Sequence, residues 1–352
     1  MVQASTGETP GAGAVRLPTA PAPRRGLVVG AGAALGGAWA LGALVALQEA
    51  EGFDPAAVDV VVGTSAGSVL AALIGCGVPP QQLVRRLSGG SVEVEGTGPV
   101  NALGVDDHVH RAVGEVPFSL LLPGNLALAA RSLGSPGRHT LMTTAAALAP
   151  RGRGSVRPVG ELVAEHQAGA GWPARPRTWV VAMDFDSGRR VVFGRPGSPA
   201  AALPEAVMAS CAAPGCFPPV AIAGRRYVDG GGVSVTNADV LVRDRLDEVV
   251  VLAPMALAGS DPRRGARARL EGTLRCYATR RLAKEVDRLT AAGSRVRVFA
   301  PSPEDLAVIG PDVMDAGRRS AVFATARRTT AALLCTVPVD GAGRAEIVTV
   351  AS

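Results

Sequence analysis

The chain has 352 residues, of which 47% are hydrophobic and 19% charged, enough apolar material for a sizeable core, so wholesale disorder is excluded. Aromatics make up only 3%, which argues against a stacking platform for single-stranded nucleic acid. The formal charge of +6 rests almost wholly on arginine, Lys284 being the single lysine, and is too dilute over this length to be a nucleic-acid footprint.

Taken in chain order, residues 1–25 are rich in Ala, Pro, Gly and Thr, lack the apolar centre of a signal peptide, and read as a disordered tail. Gly26–Val29 is a short apolar strand, and Leu35 to Glu51 a helix ended by Gly52. The uncharged run Leu27 to Leu47 is long enough to span a bilayer. Its glycines at 30, 32, 36 and 37 instead break it into a buried strand, a turn and a buried helix. Asp59–Val62 is a second β-branched strand, and Ser65 to about Cys76 a second helix closed by Gly75 and Gly77. Strand–helix–strand–helix is the sign of a parallel sheet with right-handed crossovers.

Residues 88–160 are less regular and include the apolar stretch Phe118–Ala130, interrupted by Pro123-Gly124. That stretch is either an exposed flap or a core segment of the insertion. Thr178–Met183 and Arg190–Phe193 flank a hairpin turn at Asp184–Gly188. Asp247–Ala253 and Arg295–Ala300 are further strands, Arg263–Ala292 is a long helix, and Asp315–Leu334 a final one. One α/β domain over residues 26–335 is the economical organisation, with an irregular insertion or cap at 88–175 and a C-terminal segment at 336–352.

Cys76, Cys211, Cys216, Cys276 and Cys335 are odd in number, irregular in spacing and lack a CxxC pair, so they are expected as reduced thiols of a cytoplasmic protein. His108 and His110 beside Asp106 and Asp107 could be drawn as a metal cluster, but a solvated loop is the plainer account. No metal and no cofactor are expected.

Three short segments carry chemistry. Gly63-Thr64-Ser65-Ala66-Gly67 is a GxSxG motif lying between a β-branched strand and a helix, the context that exposes a nucleophilic serine at a sharp turn. Gly30-Ala31-Gly32-Ala33-Ala34-Leu35-Gly36 follows the first strand. It could cradle a dinucleotide pyrophosphate or offer bare amides to an oxyanion. Leu35 stands where the third Gly of GxGxxG belongs, and the second strand leads straight to Ser65, both of which favour the oxyanion. Tyr227-Val228-Asp229-Gly230-Gly231 ends a β-type run in a carboxylate, although Asp-Gly is also a common hairpin turn. No histidine follows His166, so a Ser, acid, His order cannot be completed downstream of Asp229. A triad of Ser65, Asp106 or Asp107, and His139 or His166 would leave half the chain beyond its last member. Attention turns to a serine–aspartate dyad.

These motifs, in this order, resemble the bacterial patatin-like phospholipases over residues 26–76 and 178–253, with a weaker continuation to about 335. The connecting text resembles them too: Ala209-Ser210-Cys211-Ala212-Ala213-Pro214-Gly215, Phe217-Pro218-Pro219 and Thr236-Asn237-Ala238. The resemblance implies a three-layer α/β sandwich with a mostly parallel central sheet, and lipid acyl hydrolysis through an acyl-serine. It maps the nucleophile to Ser65, the base to Asp229 and the oxyanion hole to Gly32, Ala33 and Ala34. Gly30, Gly36, Gly63, Gly67, Gly230 and Gly231 support those motifs. The expected partner is a lipid or acyl-ester substrate, with peripheral contact at a membrane left open, and no nucleic acid. An acyltransferase or cyclase using the same dyad, and a non-catalytic nucleotide-binding module, are the alternatives. Ala31 and Ala33 replace glycines of the family's turn and Leu35 its basic residue; an alanine still donates its amide where its φ is negative, and the missing cation bears on rate and headgroup.

Overall fold

The computed structural model describes residues 23–89, 92–94, 97–100, 123–134, 139–259, 265–336 and 346–347. The chain opens with β1 (Arg25–Val29), α1 (Ala33–Glu51), β2 (Val60–Thr64), α2 (Ala66–Gly75) and α3 (Pro80–Gly89). A small antiparallel pair, β3 (Val92–Val94) and β4 (Thr97–Val100), comes next. Three helices follow, α4 (Leu126–Gly134), α5 (Leu141–Leu148) and α6 (Arg157–His166). Then come β5 (Arg177–Asp184), β6 (Arg190–Phe193), α7 (Leu203–Cys211), β7 (Val220–Ile222) and β8 (Arg225–Asp229). The chain continues with β9 (Glu248–Leu252), α8 (Ala266–Ala291), β10 (Arg295–Phe299), α9 (Pro303–Ile309), α10 (Arg319–Thr336) and β11 (Glu346–Ile347).

The main sheet runs β11-β10-β9-β1-β2-β5-β8-β7, with β6 also on β5. Pairs from β11 to β5 are parallel; β5 with β6, β5 with β8 and β7 with β8 are antiparallel. The central strands carry near-continuous apolar runs, Leu27–Val29, Val60–Val62 and Val249–Leu252, because both faces are covered. Leu27, Val29, Val61, Val250 and Leu252 join the core with α1, α2, α7 and α10. Val28, Val60, Val62, Val249 and Val251 point the other way, onto Leu282, Val286 and Leu289 of α8. The expected three-layer sandwich is the fold observed.

The long uncharged run is a core element rather than a membrane span: α1 is apolar enough to cross a bilayer, but 78% of its most apolar window is buried inside the protein. It packs on α10 so closely that a Cβ on Gly42 would sit 2.5 Å from the Phe323 carbonyl oxygen. Gly52 closes α1 at φ 67, as a left-handed helix cap requires.

Two expectations need correction. The stretch read as irregular contains α4, α5 and α6, three short helices set among its Gly and Pro residues. The alternative of a hairpin turn at Asp229-Gly230 is not what forms: β8 ends at Asp229, Gly230–Gly232 makes a 3-10 turn, and the hairpin lies one strand earlier, where Ala223 and Gly224 both have positive φ. The sheet also takes in Glu346–Ile347, which pair with Arg297 and Val298 beyond the 335 limit. The expected tail falls largely outside the described residues, as do Phe118–Leu122 of the apolar stretch and Asp106, Asp107, His108 and His110.

Gly42→Ala should push α1 and α10 apart and cost about 1–3 kcal/mol of stability by overpacking. Urea denaturation of the folded variant reads that loss directly.

Candidate active site

β1 and β2 run parallel with Val29 opposite Gly63, so the Gly30 turn and Ser65 emerge side by side at the carboxyl edge of the sheet. β5 then sets the level of the third segment: Thr64 pairs with Val181 on one strand and Asp229 with Ala182 on another. Three segments far apart in sequence are thereby brought to one place.

Ser65 sits between β2 and α2 with φ 55 and ψ −128, a left-handed backbone that a serine adopts only when its surroundings impose it. Its amide donates to Ser210 Oγ at 2.9 Å, and Ser210 donates in turn to the Val181 carbonyl at 2.7 Å. Its carbonyl accepts from Ser68 Oγ at 2.7 Å. The Ser65 hydroxyl does not cap α2, although the residue holds the N-cap position. The glycines of the motif serve close packing: a Cβ on Gly67 would overlap the Val29 carbonyl, and one on Gly63 the backbone of Ser68.

Asp229 is 7% exposed. Its Oδ1 accepts the Gly231 N–H at 2.7 Å, and its carboxyl faces the Ser65 hydroxyl. Burial pushes the carboxyl up from an ordinary 3.8 to about 6, although both contacts pull it down. Gly230 lies so close to the Val181 carbonyl that a Cβ there would overlap it. No Arg, Lys or His is among the residues lining the pocket that Asp229 and Ser65 share.

The Gly30–Gly36 turn forms another wall of that pocket. Its outer amides are committed: Gly30 N–H to Leu252 O at 2.9 Å, Ala31 to Val235 O at 2.7 Å, Leu35 to Val313 O at 3.0 Å and Gly36 to Gly32 O at 2.8 Å. The amides of Gly32, Ala33 and Ala34 find no acceptor among the described residues. They are the uncommitted N–H groups at the start of α1, where the helix dipole also favours negative charge. Ala33 does not meet the negative-φ condition: it takes φ 53, a left-handed conformation that costs an alanine roughly 1–2 kcal/mol. A Cβ on Gly32 would fall 2.7 Å from Pro254, and Gly36 packs on the same proline. Leu35 is fully buried in the core beneath, so the position where the family carries a cation supplies none to the pocket.

The pocket encloses about 450 Å³, within the range of small-molecule sites, and its lining is mostly apolar. Met142, Ala145, Ala146 and Ala149 of the α5 region, Val156 and Val159 of the α6 region, and Phe217 face Ser65 and Asp229. Cys211 and Cys216 also line it. Burial, reinforced by the nearby Asp229 charge, pushes the Cys211 thiol up to about 12 and raises that of Cys216, so neither is a rival nucleophile. The five cysteines are free thiols, and no three-residue metal-ligating group occurs among the described residues. Neither His139 nor His166 lines the pocket, and His166 Nδ1 is 2.9 Å from the Leu162 carbonyl.

Two supporting residues were invisible as such in the sequence. Asn237 is fully buried with φ 55, and its Nδ2 donates to Thr64 Oγ1 at 3.2 Å and to the Gly230 and Ser234 carbonyls. It ties the residue before Ser65 to the residue after Asp229. Glu285 of α8 reaches the same loop, its Oε2 accepting from Thr236 Oγ1 at 2.7 Å and Ala238 N at 2.9 Å. The quoted Thr236-Asn237-Ala238 text carried the first signal; nothing in the long Arg-rich helix singled out Glu285.

A model of the patatin-like phospholipase family matches residues 27–242. Among solved structures, VipD from Legionella pneumophila is 16% identical with a TM-score of 0.38, the alignment covering 90% of this chain and 67% of that one. The type III effector protein ExoU is 18% identical with a TM-score of 0.34, covering 90% of this chain and 53% of that one, so this chain spans about half its length. No curated protein matches.

Ser210→Ala leaves the Ser65 amide without its acceptor and should cost about 1–3 kcal/mol in urea denaturation. The raised Asp229 pKa has the opposite sign for stability. A group held above its unfolded value favours the fold below about pH 4, and that contribution is lost as pH rises through about 6. Asp229→Asn should therefore be more stable than the parent at pH 7.5, by up to about 3 kcal/mol. The gap should close by pH 4, and thermal melts at both pH values test it.

Proposed function

Because the chain belongs to the patatin-like phospholipase family and is thus a lipid acyl hydrolase, we propose that it works through Ser65 and Asp229 as a catalytic dyad. Ser65 Oγ attacks the ester carbonyl while its proton passes to the Asp229 carboxylate, whose Oδ1 is already held by Gly231. The tetrahedral oxyanion is met by the N–H groups of Gly32, Ala33 and Ala34. Collapse expels the alcohol, which takes the proton back from Asp229 and leaves the acyl group on Ser65. Asp229 then accepts a proton from water, the resulting hydroxide attacks the acyl-serine, and the same amides hold the second oxyanion. The acid leaves and Ser65 regains its proton.

One observation supports this reading above the others: Gly32 and Ala33, two of the three residues with uncommitted amides, line one pocket with Ser65 and Asp229, while the amides flanking the three are all bonded. The turn thus faces a serine, which favours the oxyanion role over nucleotide binding. A carboxylate of ordinary pKa is a weak base for a serine hydroxyl; burial brings Asp229 closer to the operating pH. The apolar lining suits an acyl chain, and the absence of a cation from it predicts little selection for a phosphate headgroup inside the pocket.

Ser65→Ala and Asp229→Asn should each reduce turnover of p-nitrophenyl butyrate by about 10³-fold or more in a folded protein. A fluorophosphonate probe should label the parent at Ser65. The parent's kcat/KM should fall tenfold per pH unit below an apparent pKa near 6, because the base must be unprotonated. Undiminished turnover in either variant removes the dyad. Product analysis with an added alcohol acceptor decides between hydrolysis and acyl transfer.

A further inference from the structure

α4 and α5 pack on each other and show apolar side chains on both sides, an arrangement a surface helix does not need for folding. Their inner sides, with Leu128, Ala129, Ala146 and Ala147, join Met183, Phe185 and Val228 in a small core. On the outer sides, Leu126 and Leu133 recur at i and i+7 on α4, and Leu141 and Leu148 do so on α5. Their exposures are 65%, 64%, 67% and 45%, and they are four of the five large exposed apolar side chains among the described residues.

Charge at this face is of one sign. Between Glu115 and Glu161 the sequence holds five arginines and no acidic residue. Arg151 and Arg153 are exposed and have no carboxylate partner among the described residues. They alternate with Gly152 and Gly154, whose backbone lies against Cys216 and Phe217 of the pocket wall. The acids nearest α4, Asp184 and Asp186, are paired with Arg225 and Arg226. The face is also continuous with the pocket. α5 lines it through Met142, Ala145 and Ala146, a quarter turn or so from the leucine stripe, and is bonded through Thr143 Oγ1 to the Gly232 carbonyl at 2.8 Å, just after Asp229.

We propose that the outer face of α4 and α5, edged by Arg151 and Arg153, docks this chain on an anionic lipid bilayer. The leucines enter the acyl boundary, the guanidinium groups meet lipid phosphates, and the mouth of the Ser65 pocket lies at the interface. The last point rests on the hydrolase reading; the docking itself does not.

Sedimentation of the full chain with phosphatidylcholine vesicles, with or without about 30% phosphatidylglycerol, tests it. The parent should partition at least about tenfold more strongly to the anionic vesicles, and lose that preference at about 1 M salt. Leu126→Ser, Leu133→Ser, Leu141→Ser and Leu148→Ser combined should lower partitioning about tenfold or more. Arg151→Glu with Arg153→Glu should abolish the preference for anionic vesicles. Both variants should keep turnover of soluble p-nitrophenyl butyrate within about twofold of the parent. Equal sedimentation of parent and variants overturns the proposal. So does a lower melting temperature in the serine variant, which would mean the face is covered by this chain's own residues 101–122. A parent dimer that the serine variant dissociates overturns it as well. A parent that sediments with vesicles yet turns over no ester would instead remove the hydrolase reading and leave the docking in place.

Discussion

A carboxylate buried without a cation is the constraint around which this molecule is arranged. The chain is rich in arginine and places it on other acids. Glu248 meets Arg25, Arg295 and Arg297; Asp239 meets Arg190 and Arg288; Asp184 meets Arg225. Among the described residues, Asp229 receives an amide and a hydroxyl and no cation. An adjacent guanidinium would hold the carboxyl low and make it a poorer proton acceptor. Its absence keeps the group basic, and the fold bears the desolvation cost through the packing around it.

Such a group must be held in place by neutral contacts, and these form a continuous chain. β5 fixes the level of both strand ends. Asn237 joins Thr64 to Gly230, and Glu285 holds the loop that carries Asn237. Glu285 is itself fully buried, and burial, with Asp239 nearby, raises its carboxyl as well. α8 therefore reaches the site through a hydrogen-bonded loop rather than by touching the pocket.

The sequence revealed those parts of the molecule whose local chemistry matches their final role. β-branched runs at 60–62 and 249–251 are strands because both sheet faces are buried, and glycines around Ser65 mark a backbone that must pass close to its neighbours. The Gly30–Gly36 turn could be singled out because free amides follow from a strand–turn–helix junction, whereas the choice of Gly32, Ala33 and Ala34 within it came from the family resemblance. What could not be read depends on partners distant in sequence. Asp229-Gly230 carries the same letters as a hairpin turn, and only pairing with Ala182 makes it a strand end. Ala33 takes a positive φ that its side chain alone does not favour, and it does so between Ala31 and Leu35, whose amides are both bonded to distant carbonyls. α5 and α6 are short, α5 rich in Ala and α6 carrying Pro158 and Gly160, so their place in the pocket wall follows from docking on α7 and the Gly232 turn.

The order of strands has a consequence for the chain as it is made. β1 is hydrogen-bonded on one side to β2, which follows closely, and on the other to β9, more than two hundred residues later. The Gly30 amide is fixed by Leu252 and the Ala31 amide by Val235, both beyond Asp229. A polypeptide still emerging from the ribosome therefore carries its serine early but lacks the far strand that shapes the turn opposite it. Translation must pass residue 252 before the Gly30 turn has its bonding partners, so a chain stopped short of it lacks the settled wall that Ser65 meets in the pocket.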